Sequence, residues 1–236
     1  MAMNEVVGNM YDWVTNTHSH WRGSCPHDCT YCSSKKGRAA KHYQGPLRLA
    51  EKELKENYYK PNKNGLTKGK TIFIDHMTDL FADGVPEDGI MKVLKHCNEY
   101  PENTYVFQTR NTRNAFLRVD DMPPDYMIGT TIETNSGLIT QMYSKAPLPI
   151  DRAAYLRLFK GKKRFVTVEP VLNFHPQRLA DLIISTNPSF VNIGGDSKNC
   201  DLLEPTRTEI LELKGLLEGA EIEVRLKDNL GRIVGQ

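Results

Sequence analysis

Short runs of apolar and β-branched residues alternate along this chain with segments whose apolar residues recur at helical spacing. Continuous apolar runs of about four to eight residues are typical of strands that are covered on both faces of a sheet. The runs predict strands at residues 71–75, 105–109, 127–132, 165–169 and 190–193. A weaker strand at 221–226 and a short first strand near residues 13–16 are also predicted.

Between these runs, apolar residues three and four positions apart predict helices. The helical groups are Ile90, Met91, Val93, Leu94 and Cys97; Leu179, Leu182 and Ile183; and Ile210, Leu213, Leu216 and Leu217. Thr206 and Glu209 form the pattern of a capping box, which predicts that the last helix begins there. Strands that alternate with helices indicate a parallel sheet, and 236 residues suffice for one large domain spanning 1–236.

Polar residues and glycines cluster where the predicted strands end. In α/β barrels the functional groups lie at the carboxyl ends of the strands and on the loops that follow, so these residues are candidates for a site. In chain order they are His76, Thr78, Asp79, Gln108, Glu133, Asn135, Glu169, Gly194 and Gly195. The sequence therefore predicts a ligand site at this edge of the sheet.

Three cysteines follow the first predicted strand in the segment Cys25-Pro26-His27-Asp28-Cys29-Thr30-Tyr31-Cys32. Thiolates hold iron–sulfur clusters, which ordinarily take four protein ligands, so a set of three leaves one iron open for chemistry. A structural zinc site is the alternative, because His18, His20 or His27 would complete a Cys3His set. A disulfide framework is disfavoured by the odd count of five cysteines and by the size of the chain.

The composition is that of an ordinary globular protein, with 39% hydrophobic and 25% charged residues. We find no apolar run near the roughly 18 residues of a membrane span and no secretory signal, so a reducing cytoplasm is expected. Net charge is +2, but residues 1–70 hold 12 Lys and Arg against 6 Asp and Glu. A basic loop at 60–70, expected to be flexible, and a basic run at 152–164 suit a phosphate-bearing partner, although solvated surfaces have the same composition.

The cysteine motif resembles that of radical S-adenosylmethionine (SAM) enzymes. Four strand ends are also similar to those of a small, phage-associated group of these enzymes that is itself distantly similar to spore photoproduct lyase. The segments are Met77-Thr78-Asp79-Leu80-Phe81, Phe107-Gln108-Thr109-Arg110, Thr167-Val168-Glu169-Pro170 and Gly194-Gly195-Asp196-Ser197. The group has Met-Ser-Asp-Leu-Phe, Leu-Thr-Lys-Arg, Ser-Ile-Glu-Pro and Gly-Gly-Glu-Ser at these places. The resemblance spans residues 13–231 and departs around Arg110, at Asp196 and in the cysteine loop at 25–32.

The resemblance implies a partial (β/α)6 TIM-like barrel of parallel strands and two cofactors, a [4Fe–4S] cluster and SAM. Cys25, Cys29 and Cys32 would ligate the cluster, and SAM would chelate its open iron. Residues implied to bind cofactor are Tyr31, Thr78, Asp79, Gln108, Glu133, Asn135, Gly194 and Gly195. Within this set, Thr78 and Asp79 would hold the methionyl amino group, and Glu133 and Asn135 the ribose. Catalytic roles are implied for His76, Glu169 and Cys200, the last returning a hydrogen atom to a product radical.

The implied activity is reductive cleavage of SAM to a 5′-deoxyadenosyl radical, followed by an isomerase- or lyase-type reaction on a thymine-derived base in DNA, as in phage DNA hypermodification. Cys97 and Cys200 are too few for a second four-thiolate cluster, which indicates a one-cluster enzyme. A flavodoxin- or ferredoxin-type electron donor and the cytoplasm of a bacterium or phage-infected host complete the expectation. Two alternatives stay open: a small metabolite or amino acid as substrate, and a non-catalytic metal knuckle that binds nucleic acid.

Overall fold

The computed structural model describes residues 3–6, 10–36 and 40–235. The strands within them are β1 (Asn4–Glu5), β2 (Asn16–His18), β3 (Trp21–Arg22), β4 (Arg48–Leu49), β5 (Thr71–Ile74), β6 (Thr104–Gln108), β7 (Tyr126–Thr131), β8 (Lys163–Val168), β9 (Phe190–Ile193) and β10 (Glu223–Leu226). Eight of these strands form one sheet in the order β1-β2-β5-β6-β7-β8-β9-β10. The remaining two, β3 and β4, form a short antiparallel ribbon.

The helices lie between the strands of this sheet or follow the last one. They are α1 (Ala40–Tyr43), α2 (Glu87–Asn98), α3 (Thr112–Phe116), α4 (Gly137–Tyr143), α5 (Pro149–Leu156), α6 (Pro176–Ile184), α7 (Arg207–Gly219) and α8 (Gly231–Val234). Short 3-10 turns occur at Ser33–Lys35, Glu51–Lys55, Val119–Asp121 and Asp228–Leu230. Among the described residues, no helix combines the length and the apolar character needed to cross a membrane.

From β2 to β10 the strands of the large sheet run parallel, and each pairs with the next one in chain order. The short β1 is antiparallel to β2. Parallel neighbours need a crossover connection, and α2 to α7 lie in these crossovers. Because β1 and β10 are the ends of the strand order, the sheet is open. This confirms the predicted α/β fold with parallel strands. The weakly predicted strand at 221–226 is present as β10, which is the seventh parallel strand among the described residues.

The predicted strands from 71–75 onward lie within two residues of observed ones, and the capping box of Thr206 and Glu209 is confirmed with both of its hydrogen bonds. The first strand is shifted, because β2 begins at Asn16 rather than near residue 13. The apolar character of that region has another cause. Trp13 stacks on Tyr11 with ring centroids 5.1 Å apart and packs against the sheet.

The two faces of the sheet carry two different cores, because alternate strand residues point to opposite sides. On one face, residues such as Ile74 and Phe107 pack against the helices in the largest hydrophobic cluster. The other face carries Phe73 and Phe165, and residues 10–14 cover it. The N-terminal segment therefore packs against this face of the sheet.

The two basic segments, 60–70 and 152–164, each contain a buried cation, although their composition is typical of solvated surfaces. The loop at 60–70 is organised around Lys70, whose side chain is fully buried. In the run at 152–164, Arg152 is also fully buried and pairs with Glu133 at 2.7 Å. A buried cation has no access to an external phosphate, so the exposed lysines and arginines of these segments are the candidates for such contacts.

Candidate active site

The loops at the carboxyl ends of the strands enclose a cavity of about 500 Å³. The predicted site residues that line it are Cys25, Cys29, Tyr31, Cys32, His76, Asp79, Gln108, Glu169 and Gly195. They come from the cysteine loop and from the ends of β5, β6, β8 and β9. The parallel sheet thus brings together groups that are far apart in the sequence, as expected for the carboxyl edge of a barrel-like fold.

The cysteine loop is held in place by the segment that follows α4. Lys145 donates its backbone N–H to the carbonyl of His27 at 2.8 Å, and its ammonium group pairs with Asp28 at 2.9 Å. The Cys29 thiol lies 3.1 Å from the hydroxyl of Ser144. These contacts position the loop against a structured part of the chain.

His27, inside the cysteine motif, also joins the loop to the end of β5. Its Nε2 lies 2.8 Å from Oδ2 of Asp79, and that carboxylate accepts the backbone N–H groups of Phe81 at 3.0 Å and Arg110 at 2.7 Å. Burial by itself raises the pKa of Asp79, but the charge of His27 and these donors outweigh burial and lower the pKa. The carboxylate predicted to hold the amino group of SAM is therefore already engaged by protein donors.

The thiols of the motif are free, and the surroundings of two of them, Cys25 and Cys32, favour the neutral form. Burial raises the pKa of Cys25 to about 12, with a further contribution from the charge of Asp79. Burial also raises the pKa of Cys32. Such thiols stay protonated near neutral pH unless a metal offsets the charge of the thiolates.

The donor set fits an iron–sulfur cluster better than a single metal ion. In the part of the chain that the structure describes, no three His, Cys, Asp or Glu side chains are grouped to hold one ion. A cluster takes one thiolate per iron, so its ligands line a cavity instead of converging on a point. The histidines of the zinc alternative have protein partners: Nε2 of His27 contacts Asp79 in the cavity wall, and His18 and His20 contact the hydroxyl of Tyr58.

Tyr31 is held in the cavity wall by a buried charge network. Its hydroxyl donates to Glu133 at 3.1 Å and accepts from Nη1 of Arg110 at 2.6 Å. Glu133 is fully buried between Arg110 at 2.9 Å and Arg152 at 2.7 Å. Burial raises its pKa, but the two guanidinium charges outweigh burial and bring the pKa to about 2. Glu133, predicted to hold the ribose of SAM, thus lies behind Tyr31 and orients it.

Glu169 contributes to the cavity wall together with a lysine that the sequence analysis missed. Its carboxylate accepts from Nζ of Lys227 at 2.8 Å and from Nδ2 of Asn229 at 2.8 Å. A Cβ at Gly194 would lie 2.8 Å from the Glu169 carboxyl carbon, so glycine makes this approach possible. Lys227 also lines the cavity and directly follows β10. Functional groups are expected where parallel strands end, and Lys227 follows the weakly predicted strand at 221–226. The same reasoning, applied to that strand, would have identified Lys227.

Some predicted site residues are not among the described residues that line the cavity: Thr78, Glu133, Asn135, Gly194 and Cys200. Asn135 accepts the backbone N–H of the residue before α6 at 2.8 Å. Cys200 packs in a small hydrophobic cluster with Cys29 and Tyr31, and its thiol accepts from Nζ of Lys36 at 3.1 Å. The cofactor and catalytic roles of these residues stay predictions.

A family model matches the part of the chain that contains most of this site. The family model that matches the chain is described as protein of unknown function (DUF5131), and the match spans residues 9–200. The chain belongs to this family. The matched range of this DUF5131 protein contains the cysteine loop and the strand ends up to β9. No curated protein has a sequence similar enough to match it.

Solved structures share the fold of this DUF5131 protein at low sequence identity. A spore photoproduct lyase mutant with bound AdoMet and dinucleoside spore photoproduct gives a TM-score of 0.65 at 11% identity, covering 93% of this chain and 78% of that one. Another mutant of the lyase gives 0.66 at 10%, covering 94% and 79%. Streptococcus suis SuiB bound to precursor peptide SuiA gives 0.62 at 11%, covering 89% and 48%. Both are radical SAM enzymes, so the chain has the radical SAM fold.

Proposed function

We propose that this DUF5131 protein is a radical SAM enzyme that holds a [4Fe–4S] cluster through Cys25, Cys29 and Cys32. The observation that carries the proposal is the position of these three thiols, which line one cavity with the polar strand ends of a radical SAM fold. The cavity-lining residues that the structure describes include no fourth cysteine. A cluster held by three thiolates keeps one iron for an external ligand.

When bound, the cluster would supply the electron, taken from a flavodoxin- or ferredoxin-type donor, for reductive cleavage of SAM to methionine and the 5′-deoxyadenosyl radical that acts on substrate. The protein binds, orients and shields these groups. The contact between His27 and Asp79 holds the cysteine loop against β5, and Arg110 holds Tyr31 in the wall. A reactive radical needs a site with limited access of water, and the cysteine loop contributes to the lining of this cavity.

The cavity suits SAM in size and in charge. Small-molecule sites commonly have volumes of about 300–1,000 Å³, and this one has about 500 Å³. Its lining includes the carboxylate of Glu169 for an ammonium group. It also offers a cation, Arg110, for a carboxylate. The methionyl part of SAM carries both groups, and charge-assisted hydrogen bonds to each are strong.

For the substrate, we favour a thymine-derived base in DNA that is rearranged or repaired, as in phage DNA hypermodification. A spore photoproduct lyase with the same fold has a dinucleoside spore photoproduct bound, which supports this class. Exposed lysines also lie beside the cavity, where Nζ of Lys36 donates to the carbonyl of Lys198 at 3.0 Å. These cations suit phosphates that flank the base. A base inside a duplex would have to be extruded to reach the cavity.

An amino-acid-containing substrate is the second candidate. SuiB, whose fold is similar, was solved with a precursor peptide bound. The mixed charges of the cavity wall would also accept the ammonium and carboxylate groups of an amino acid. The two substrate classes differ in their dependence on salt, because binding of nucleic acid releases counterions and weakens steeply as salt rises.

Anaerobic reconstitution with iron and sulfide tests the cofactor. We expect a brown protein with a paramagnetic signal after dithionite reduction, and 5′-deoxyadenosine when SAM is added. Cys25→Ala, Cys29→Ala and Cys32→Ala should each lose most of the bound iron, because each removes a ligand. The matched control is Cys97→Ala, a cysteine buried on α2 that should keep the iron. A colourless protein that binds zinc instead would contradict the proposal.

The substrate class is tested by the rate of 5′-deoxyadenosine formation with different additions. We expect stimulation by a single-stranded oligonucleotide that contains a 5-substituted, thymine-derived base. Lys198→Gln should weaken binding of this oligonucleotide and make it less salt-dependent, because it removes a phosphate contact. Lys92→Gln, an exposed change on α2 that lies outside both basic segments, is the control. Stimulation by amino acids or peptides, with none by the oligonucleotide, would favour the second candidate.

A further inference from the structure

Tyr43, the last residue of α1, has a buried hydroxyl without a hydrogen-bond partner. The residue as a whole is 7% exposed. Buried polar groups in native proteins are nearly always hydrogen-bonded, so an exception calls for an explanation such as a catalytic or redox role or an absent partner. Tyr43 is outside the set of described residues that line the cavity, so a molecule bound there is not its partner.

The surroundings of Tyr43 are those of the cysteine loop. Its backbone carbonyl accepts from the hydroxyl of Ser24 at 3.2 Å, immediately before Cys25. The backbone N–H of Cys25 approaches the Tyr43 oxygen without the geometry of a full hydrogen bond. On the other side, Nζ of Lys35 lies 5.9 Å from the ring centroid. The phenol is therefore enclosed by the segment that carries the three thiols.

All three thiols of the motif are close enough to act electrostatically on this hydroxyl. Burial is the main cause that raises the pKa of Tyr43, and thiolates at Cys32, Cys25 and Cys29, the form that a bound cluster requires, would raise it further. The O–H of Tyr43 has no acceptor among the described residues and is free to donate. A neutral donor beside thiolate sulfurs stabilises negative charge on them.

We propose that Tyr43 donates a hydrogen bond to a sulfur of the iron–sulfur cluster and thereby raises the reduction potential of that cluster. This inference rests on the proposed function. Hydrogen bonds to the sulfurs are among the main means by which a protein sets the potential of such a cluster, because reduction adds negative charge that the donor stabilises. Tyr43 acts as a positioning residue, since it tunes the cluster from outside the cavity.

The test compares the reconstituted parent chain with Tyr43→Phe, which removes the hydroxyl and keeps the ring. A redox titration followed by electron paramagnetic resonance measures the midpoint potential of the cluster. We expect the reduction equilibrium of Tyr43→Phe to be about tenfold less favourable, which is 59 mV for a one-electron couple. Tyr59→Phe is the matched control, because the Tyr59 hydroxyl is also buried without a partner but packs against Tyr100.

A second measurement uses the unaltered protein. Resonance Raman spectra in H2O and D2O should differ in the iron–sulfur stretching region, and Tyr43→Phe should reduce that difference. Equal potentials and equal isotope shifts in Tyr43→Phe and the parent would overturn the role of Tyr43 while leaving the proposed function intact. Absence of the cluster from the parent chain would instead refute the proposed function. If Tyr43→Phe alone fails to assemble a cluster, an insensitivity of the parent spectrum to D2O overturns the inference and a sensitivity supports it.

Discussion

At the end of β7, the carboxylate of Glu133 is fully buried between two guanidinium groups. Moving a carboxylate out of water is costly, and here Arg110 and Arg152 compensate for it. Arg152 itself is fully buried, and its Nη2 atom has no partner. The buried charges of Arg110 and Arg152 in turn depend on the single carboxylate of Glu133 for their compensation.

Glu133→Gln should destabilise the fold, because the buried charge of Arg152 would lose its counterion. We expect a loss of about 3–5 kcal/mol in the free energy of unfolding, the usual cost of breaking a buried ion pair. Glu87→Gln is the control, since Glu87 is 75% exposed and its pair with Arg118 at 3.3 Å should contribute less than about 1 kcal/mol. Chemical denaturation measures both values. Equal effects of the two changes would show that the buried network is not needed for stability.

The catalytic role predicted for Cys200 can be tested by changing this single residue. Its thiol lies beside Lys36 and packs near Cys29, outside the cavity lining. If the thiol returns a hydrogen atom to a product radical, Cys200→Ala should leave 5′-deoxyadenosine formation within about twofold of the parent and change the product. Analysis of products by mass spectrometry decides the point. An unchanged product would assign Cys200 to packing, which is the more common use of a lone thiol.

Among the elements, the basic loop at 60–70 is held together by hydrogen bonds from its own last residue, Lys70. Nζ of Lys70 donates to the backbone carbonyls of Tyr58 at 2.5 Å, Lys60 at 2.7 Å and Thr67 at 3.1 Å. An ammonium group has three donors, and all three are used. The loop that the sequence predicts to be a solvated basic segment is thus closed around its last lysine.

Lys70→Met should destabilise this loop, because three carbonyls would lose their donor. We expect a loss of about 1–3 kcal/mol in the free energy of unfolding, the usual cost of leaving buried acceptors without partners. Lys68→Met is the matched change, since Lys68 is 58% exposed and pairs with Glu102 on the surface. It should cost less than about 1 kcal/mol. Proteolytic cleavage within 60–70 should increase in the first variant only.

The strands were the most predictable elements, because β5 to β9 are covered on both faces and so appear as continuous apolar runs. The first strand was misplaced because its signal came from Trp13, whose burial is due to packing on Phe165 and Phe190. An apolar residue reports that it is buried, and the sequence alone does not distinguish burial in a strand from burial against one.

At the scale of the whole molecule, a buried cluster of histidines that includes His18 of β2 affects how the free energy of unfolding depends on pH. His18 and His20 share the hydroxyl of Tyr58, and His20 also contacts Asp75. His96 packs against this group from α2, with its ring 4.6 Å from that of Tyr58. Burial and, to a smaller extent, the charge of His20 together lower the pKa of His96 to about 4. The folded state therefore holds His96 neutral where the unfolded chain binds a proton.

This difference predicts the direction of the pH effect. Between pH 6.5 and about 4, the unfolded chain binds a proton at His96 and the folded chain does not, so stability is lost as pH falls through this window. His96→Gln should remove about 1–3 kcal/mol of that loss and leave the carboxylate contribution unchanged. The exposed His175→Gln is the control. Denaturation curves at pH 7 and pH 4.5 that shift equally in both variants would contradict the prediction.

The sequence by itself determined the α/β class, most strand positions, the cysteine loop and the edge of the sheet where the site lies. These features follow from local periodicity, which reports how each segment is covered. The tertiary structure decided which polar groups face the cavity. Glu133 pairs with Arg152 and does not line the cavity, Lys227 is brought in beside Glu169, and Tyr43 is placed beside the cysteine loop. Such partners are distant in sequence, so only the folded chain specifies them.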